Sequence, residues 1–247
     1  MKKKQIPMLI GRNVVIEALR EGRPIDKVFI QQNLGGETWH EISQLASTRA
    51  IPVSKVPVQK LDRLSRGNHQ GVIAMTAPVA YQKLEDLIPF LYEKGITPLF
   101  LLLDGVTDVR NFGGIARSAE VLGAHAIVIP VKNSAPVSSD AVKTSAGALL
   151  RIPVCRTNSW KATLQTLRMN GIRIYGAEGK ANKLIRDVDW TQPSALILGA
   201  EDKGLSGDSL RHADDLVKIP QSGETESLNV SVACGIILYE AARQRGE

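Results

Sequence analysis

The chain has 247 residues, 43% of them hydrophobic, and a formal net charge of +6. It has no apolar run long enough to cross a membrane, and no secretory apolar segment follows its basic residues 2–4, so a cytoplasmic protein is expected. Two cysteines without a Cys-x-x-Cys pair and four scattered histidines argue against a disulfide framework and against a metal site.

The positive charge is concentrated in the first third of the chain. Residues 1–75 hold 12 Lys or Arg and 6 Asp or Glu, whereas residues 76–247 hold 19 of each kind. This distribution is typical of a polyanion-binding part joined to a part with another task, and it also fits an ordinary solvated basic surface. Charge alone therefore leaves contact with nucleic acid open.

Residues 1–76 show the alternation of helices and strands that is typical of a small α/β module. Between its last predicted helix and strand, residues 66–71 form a polar loop with two glycines, and such loops contact partners more often than they fill cores. The hydrophobic pattern predicts, in chain order, a helix at 12–22, a strand at 28–30, a helix at 37–49, a strand at 51–53, a helix at 58–64 and a strand at 71–76.

A linker with an entry helix, residues 77–97, leads into a second domain at 98–247. The linker contains Pro78, Pro89 and a helical pattern around 84–92. In the second domain strands alternate with helices, which predicts a parallel sheet with helices on both faces. The predicted strands are 99–103, 126–129, 172–175, 195–198 and 216–219, and the predicted helices are 111–122, 140–150, 160–169 and 228–243.

Three predicted strands of the second domain end in polar loops, at residues 104–114, 199–205 and 219–229. Ligands of open parallel sheets bind beyond the carboxyl ends of the strands, so the three loops are expected to converge on one edge of the sheet. Taken alone, the last loop also reads as the start of a well-capped helix, with Ser227 or Asn229 as the cap.

The loops lack the common phosphate-binding signatures. The absence of Gly-x-x-x-x-Gly-Lys-Ser/Thr argues against P-loop hydrolysis, and no Gly-x-Gly-x-x-Gly follows a strand, as a dinucleotide-dependent oxidoreductase or a common methyltransferase would require. Arg117 lies in a predicted helix of otherwise small and apolar residues. It can be functional, or it can be a partly buried structural arginine with a carboxylate partner.

Taken together, the three loops resemble the motifs of the SpoU/TrmH family of RNA ribose 2′-O-methyltransferases, which belongs to the SPOUT superfamily. The resemblance lies in residues 111–117, 197–204 and 219–231, in the order and spacing of the family. Val109 stands where many relatives have proline.

The first module is similar to the L30-like substrate-binding domain of the RlmB branch of this family, through residues 11–13 and 69–71. That branch methylates a guanosine of 23S rRNA, so the resemblance implies this reaction in the peptidyl-transferase loop. Two alternatives remain open: a tRNA ribose 2′-O-methyltransferase of the same family, and a non-catalytic rRNA-binding protein on the same fold.

The resemblance also implies a trefoil knot in the C-terminal domain, S-adenosylmethionine as the cofactor, and a homodimer. The implied cofactor contacts, largely through the backbone, are Leu198, Gly199, Gly204, Ile219 and Leu228. The implied catalytic residues are Arg117, Asn111, Ser227, Asn229 and Glu201.

Each implied catalytic residue has an expected role. Arg117 anchors an RNA phosphate and polarises the ribose hydroxyl, because a guanidinium stays protonated and donates bidentate bonds. Asn111 and Asn229 orient the nucleotide. Ser227 orders Arg117 or its own loop, and Glu201 structures the knot loop or pairs with Arg117.

Overall fold

A computed structural model of the chain describes residues 8–223 and 227–246. These residues divide into two units: one holds the described residues up to Ala80 together with 137–139, and the other holds the described remainder. Within these ranges no helix is long and apolar enough to cross a membrane.

The first unit is a mixed sheet with helices on both faces. Its elements are β1 (Met8–Ile10), α1 (Arg12–Arg20), β2 (Ile25–Gln31), α2 (Gly36–Ser47), β3 (Val53–Val56), α3 (Val58–Leu64) and β4 (Val72–Thr76). The strand order is β1-β4-β2-β3, and only the β2–β3 pair is parallel. Alternation along β2 places Val28 and Ile30 in a core with α1 and α2, whereas Phe29 packs on the opposite face with Leu61 of α3.

The second unit alternates strands and helices along the chain. Its first elements are β5 (Tyr81–Gln82), α4 (Leu84–Glu93), β6 (Leu99–Asp104), α5 (Val109–Val121), β7 (Ala126–Pro130), α6 (Ser139–Thr144), β8 (Val154–Thr157) and α7 (Trp160–Met169). They are followed by β9 (Arg173–Ala177), β10 (Lys183–Leu184), β11 (Ser194–Gly199), α8 (Gly207–His212), β12 (Asp215–Lys218) and α9 (Val230–Arg245). Short 3₁₀ turns occupy Ala148–Leu150 and Ile185–Asp187.

The strands of the second unit form a parallel sheet in the order β10-β12-β9-β11-β6-β7-β8-β5. The predicted α/β class is confirmed. The central strands β6 and β11 are buried along their length, which explains their continuous apolar sequences. Gly199 pairs with Asp104 at the carboxyl end of these strands, so the loops that follow both strands leave from one edge. The trefoil knot stays a prediction.

Two predicted elements of the chain differ in the structure. The helix predicted at 140–150 breaks after Thr144, because Ala146 and Gly147 adopt left-handed backbone angles, φ 50° and 84°. The strand predicted at 51–53 runs instead over Val53–Val56. Strands β1, β5, β8 and β10 and helix α8 had no counterpart in the prediction, since each has at most six residues and offers little periodicity to detect.

Residues 81–93, assigned above to the linker, take part in the structure of the second unit. Tyr81 of β5 pairs with Val154 of β8, which extends the sheet at its edge. The apolar face of α4, including Leu84, Ile88 and Leu91, packs into the main core of this unit. The predicted domain boundaries, 1–76, 77–97 and 98–247, stay predictions.

Candidate functional site

The carboxyl ends of β9, β11 and β12 and the start of α9 surround a cleft of about 420 Å³. Its walls are mainly apolar, with a few polar side chains at the mouth, as is usual for small-molecule sites. The cleft is lined by all five implied cofactor contacts, Leu198, Gly199, Gly204, Ile219 and Leu228, and by three of the implied catalytic residues, Glu201, Ser227 and Asn229.

One wall of the cleft is a tight backbone loop between Gly199 and Gly204. Ala200 and Gly204 exchange two backbone hydrogen bonds, 3.1 and 2.8 Å long, and Gly204 has φ +64°. A Cβ on Gly199 would lie 2.2 Å from the carbonyl carbon of Gly204, a distance that no side chain tolerates. Only glycine at 199 therefore allows the loop to close on itself, and the loop presents backbone groups to the cleft.

Asn229 connects the three loops. Its side-chain Nδ2 donates to Asn111 Oδ1 at 3.0 Å and to Glu201 Oε1 at 2.6 Å. Its Oδ1 accepts from the backbone N–H groups of Ser231 and Val232, at 3.0 and 3.4 Å. The predicted cap of the last helix is therefore Asn229, and the same amide holds one residue from each of the other two loops.

Asn111 lies in the first turn of α5, and the sequence around it explains its position. Asp108 caps this helix, with Oδ1 accepting from the N–H groups of Arg110 and Asn111 at 2.8 and 2.9 Å. Asn111 Oδ1 is engaged by Asn229. Among the residues that the structure describes, its Nδ2 has no hydrogen-bond partner, so Asn111 offers an oriented donor.

Arg117 lies on the exposed surface of α5, two turns after Asn111, and does not line the cleft. It makes neither a hydrogen bond nor an ion pair with any part of the chain that the structure describes. The structural alternative, a partly buried arginine with a carboxylate partner, is therefore not what the described residues show. The expected contacts of Ser227 or Glu201 with Arg117 are not present among them either: Glu201 binds Asn229.

Ser227 lines the cleft and is exposed. Residues 224–226, part of the third loop in the sequence analysis, lie outside the described residues. Leu228 contributes a side chain that is 39% exposed. An apolar side chain left open at the mouth of a cleft is available to cover an apolar ligand surface.

Helices α5 and α9 approach closely through small side chains. A Cβ on Gly114 would lie 3.2 Å from the Cβ of Ser231, and one on Gly235 would lie 3.5 Å from Ser118 Oγ. This close packing brings the start of α9, with Asn229, next to the start of α5, with Asn111. Gly114 of the first motif thus allows the close packing that positions the site.

Sequence reasoning did not identify Glu178 and Lys218 as residues of the cleft, whereas Gln221 belongs to the predicted third loop. Glu178 follows β9, and its backbone N–H donates to the Val217 carbonyl oxygen at 2.9 Å. Applying the strand-end rule to β9 as well would have found it. Asp104 also has an unpredicted role, since its Oδ2 accepts from Ser206 N at 2.7 Å and from Ser209 Oγ at 2.5 Å, which ties the start of α8 to β6.

The two cysteines take no part in this site chemistry. Burial raises the pKa of Cys155 to about 12, and burial also raises the pKa of Cys234. Both thiols therefore stay protonated and are poor nucleophiles and poor metal ligands. No cluster of three or more potential metal ligands occurs within residues 8–223 and 227–246.

A serine at position 229 is expected to keep the helix-capping role of Asn229 and to remove its bridge to Asn111 and Glu201. Serine also caps helices, so Asn229→Ser should change the free energy of unfolding by less than about 1 kcal/mol. It cannot bridge Asn111 and Glu201, and we expect turnover in the reaction that the family resemblance implies to fall about a hundredfold. Thermal unfolding and steady-state kinetics measure the two effects, with Asn229→Ala as the variant that loses both. Wild-type turnover of Asn229→Ser would contradict a positioning role for the bridge.

Comparison with known proteins identifies the family. Residues 98–239 match the model of the SpoU rRNA methylase family. The chain belongs to this family. Residues 8–82 match the model described as RNA 2′-O ribose methyltransferase substrate binding. The SpoU/TrmH resemblance inferred from the three loops is thus confirmed.

Relatives and solved structures match nearly the whole chain. YacO of Bacillus subtilis, assigned to the TrmH family of tRNA/rRNA methyltransferases, is 37% identical over 242 residues, or 98% of this chain and 97% of the relative. The SpoU methyltransferase AviRb of Streptomyces viridochromogenes, solved with AdoMet, is 26% identical with a TM-score of 0.61 and covers 96% of this chain and 90% of its own. An AdoMet-bound rRNA methyltransferase of Sinorhizobium meliloti is 28% identical with the same TM-score, 0.61, over 96% of this chain and 86% of its own.

Proposed function

We propose that this protein transfers a methyl group from S-adenosylmethionine to the 2′-hydroxyl of a guanosine ribose in the peptidyl-transferase loop of 23S rRNA. RNA ribose 2′-O-methylation is the activity of its family. The observation that carries the assignment to this site is the bridge from Asn229 to Asn111 and Glu201 at the mouth of the cleft. It joins the three family motifs into one constellation beside a cofactor-sized cavity.

The cleft fits S-adenosylmethionine. Its volume, about 420 Å³, lies within the usual range of small-molecule sites. The close approach of Gly199 to Gly204 leaves backbone groups uncovered for hydrogen bonds to an adenine, and Leu198, Ile219 and Leu228 supply apolar contact area. When bound, the cofactor supplies an electrophilic methyl group on a sulfonium.

The remaining tasks fall to side chains of this protein. The ribose hydroxyl must be held in line with the methyl group, and Asn111, whose amide is oriented by Asn229, can donate to the nucleotide. Arg117 has an uncommitted guanidinium among the described residues, and it can form a bidentate bond with an RNA phosphate and polarise the hydroxyl. A guanidinium stays protonated near neutral pH, so we assign Arg117 as a donor rather than as the base.

The first unit favours rRNA over tRNA. The Sinorhizobium meliloti rRNA methyltransferase matches 96% of this chain. In contrast, the A. aeolicus TrmH/SpoU tRNA modifying enzyme matches 66% of it, with 29% identity and a TM-score of 0.56. The substrate-binding match at residues 8–82 and the excess positive charge of residues 1–75 provide an additional RNA-binding part. We also propose a cytoplasmic location, since the proposed substrate is cellular RNA.

The experiment that tests this proposal measures transfer of labelled methyl groups from S-adenosylmethionine to purified 23S rRNA and to tRNA. We expect incorporation into 23S rRNA at one ribose, located by ribose-methylation mapping of rRNA made with and without the protein. Incorporation into tRNA alone would replace the rRNA assignment by the tRNA alternative. Failure to bind S-adenosylmethionine in calorimetry would favour the non-catalytic alternative.

We further propose that the protein is a homodimer through α9. One face of this helix packs in the core, including Cys234, Ile237 and Leu238, yet the other face carries Val232, Ile236 and Tyr239, which are 50%, 37% and 62% exposed. Their spacing of four and three residues places them on one side of the helix. A helix that is apolar on both sides is typical of an interface, and a second copy would cover this face.

A single charged side chain introduced into the proposed interface is expected to dissociate the dimer into monomers. Ile236→Glu places a carboxylate in the proposed interface, and the desolvation cost of that charge should convert the dimer into a monomer in sedimentation velocity. Met169→Glu is the matched control, because Met169 is 87% exposed on α7 and its substitution should leave the dimer intact. A monomeric wild type, or an Ile236→Glu variant that is still dimeric, would refute this interface.

A further inference from the structure

In the first unit, Arg12 and Gln70 fix one another at the surface. Arg12, at the start of α1, donates through Nε to the Gln70 carbonyl oxygen at 2.8 Å. Gln70, in the loop between α3 and β4, accepts the Arg12 backbone N–H through Oε1 at 3.3 Å. Both residues are exposed. Two hydrogen bonds therefore hold two polar side chains in place where free rotation would be expected.

Gln70 lies in a backbone conformation that glutamine rarely adopts. Its φ is +50° and that of Gly71 is +78°, and Val72 N donates to His69 O at 2.8 Å to close the turn. Turns with two successive positive φ angles favour Asn-Gly or Asp-Gly. The longer glutamine side chain reaches Arg12, which the shorter asparagine would not match. Strained residues of this kind concentrate at binding sites.

The His69 side chain stabilises this turn. Gly71 N donates to His69 Nδ1 at 3.0 Å, so Nε2 carries the ring proton and donates to Asp62 at 3.0 Å. The His69 side chain is only 12% exposed. Asp62 is thus bound to His69, and this contact together with the Gly71 N–H bond fixes the turn that carries Gln70.

The groups that this pair leaves uncommitted are all donors. Arg12 keeps its two terminal guanidinium nitrogens, and Gln70 keeps its amide Nε2, without partners among the residues that the structure describes. Arg63 and Arg66, which flank the loop, are exposed and form no ion pair in the described part of the chain. A surface of fixed donors with positive charge fits a phosphate oxyanion, and the salt dependence of binding distinguishes a phosphate from the acceptor edge of a guanine.

We propose that Arg12 and Gln70, the Arg12–Gln70 site, bind one phosphate of the RNA backbone. The two terminal nitrogens of Arg12 donate hydrogen bonds to two phosphate oxygens, and Gln70 Nε2 donates to one of the same oxygens. This assignment rests on the proposed function, in which the RNA substrate contacts the first unit. A phosphate contact of this kind fixes the position of the RNA on the first unit but does not read its base sequence.

The substitution Gln70→Glu tests the site without removing its internal bond. Glutamate keeps an oxygen that accepts the Arg12 N–H, but it replaces the free amide donor by a negative oxygen. We expect the full chain to bind a hairpin RNA with an unpaired loop at least tenfold more weakly, with an unchanged unfolding midpoint. Gln44→Glu on α2, an exposed glutamine with the same charge change, is the matched control and should bind almost as the wild type does.

Salt dependence provides a second measurement. Loss of the positive charge in Arg12→Gln should lower the slope of log affinity against log salt by about 0.7–0.9. Arg23→Gln, at another exposed arginine of the same unit, should leave the slope unchanged. Equal affinities for Gln70→Glu and Gln44→Glu, together with an unchanged slope in Arg12→Gln, would overturn the Arg12–Gln70 site and leave the proposed function intact. A wild type that binds no RNA would overturn both.

Discussion

Replacement of Arg117 by lysine should reduce kcat/KM for methyl transfer about 100- to 1,000-fold, the size of effect seen when one oriented transition-state donor is lost. Arg117 is exposed on α5, six residues after Asn111 of the Asn111–Asn229–Glu201 network, and has no partner among the described residues. Lysine keeps the charge but lacks the planar fork that binds a phosphate through two bonds. The expected loss of activity therefore comes from the changed hydrogen-bond geometry, because the charge at position 117 is unchanged.

Two measurements distinguish this effect from damage to the fold. Because Arg117 does not line the cleft, the dissociation constant for S-adenosylmethionine should be unchanged in Arg117→Lys. Arg110→Lys, the same change at the exposed arginine that immediately precedes Asn111 on the same helix, should retain nearly full activity. Near-wild-type turnover of Arg117→Lys would remove Arg117 from the mechanism.

Gly199→Ala should abolish binding of S-adenosylmethionine and lower the free energy of unfolding by about 3 kcal/mol or more. The new methyl group would lie 2.2 Å from the carbonyl carbon and 2.4 Å from the carbonyl oxygen of Gly204, both backbone atoms that cannot rotate away. The loop must therefore open, and the opening removes a wall of the cleft. Calorimetry with the cofactor and chemical denaturation measure the two losses.

Alanine substitutions of two other glycines serve as controls for Gly199→Ala. Gly204→Ala introduces strain through φ +64° but little crowding, since its nearest neighbour, Glu178 Oε2, is 3.8 Å away; it should fold and bind the cofactor more weakly. Gly223→Ala, with no atom of the described residues within 4 Å of the new methyl group, should behave as the wild type. If all three variants bind the cofactor equally, the loop after β11 is not part of its site.

The fold class could be predicted because buried parallel strands leave a strong signal. The runs at Leu99–Asp104 and Ser194–Gly199 are apolar throughout, and helices such as Trp160–Met169 show clear periodicity. Short elements at the sheet edge, such as Tyr81–Gln82, leave no such signal. The helical pattern at 84–92 was predicted despite Pro89, which lies inside α4, where the packed apolar face outweighs the missing N–H.

The sequence placed Asn111, Glu201 and Asn229 in loops at one edge of the sheet but did not predict how their side chains connect, and their catalytic roles stay predictions. The sequence showed that Asn111, Glu201 and Asn229 each follow a strand or begin a helix. It could not show that one amide would bond both other side chains, because these contacts span 118 and 28 residues of chain. It also could not show that Arg117 is exposed, since helix composition does not report which neighbours cover a face.

The cleft depends on Asn229 and on the first turns of α9, and this has a consequence for the time at which the protein becomes competent. β6, β9 and β11 are synthesised before residues 227–237, which supply one wall of the cleft. A nascent chain that stops short of Asn229 lacks both this wall and the bridge between the other two loops. We therefore expect chains truncated before Asn229 to bind neither cofactor nor substrate productively, because the cleft becomes complete only after residues 227–237 have been made.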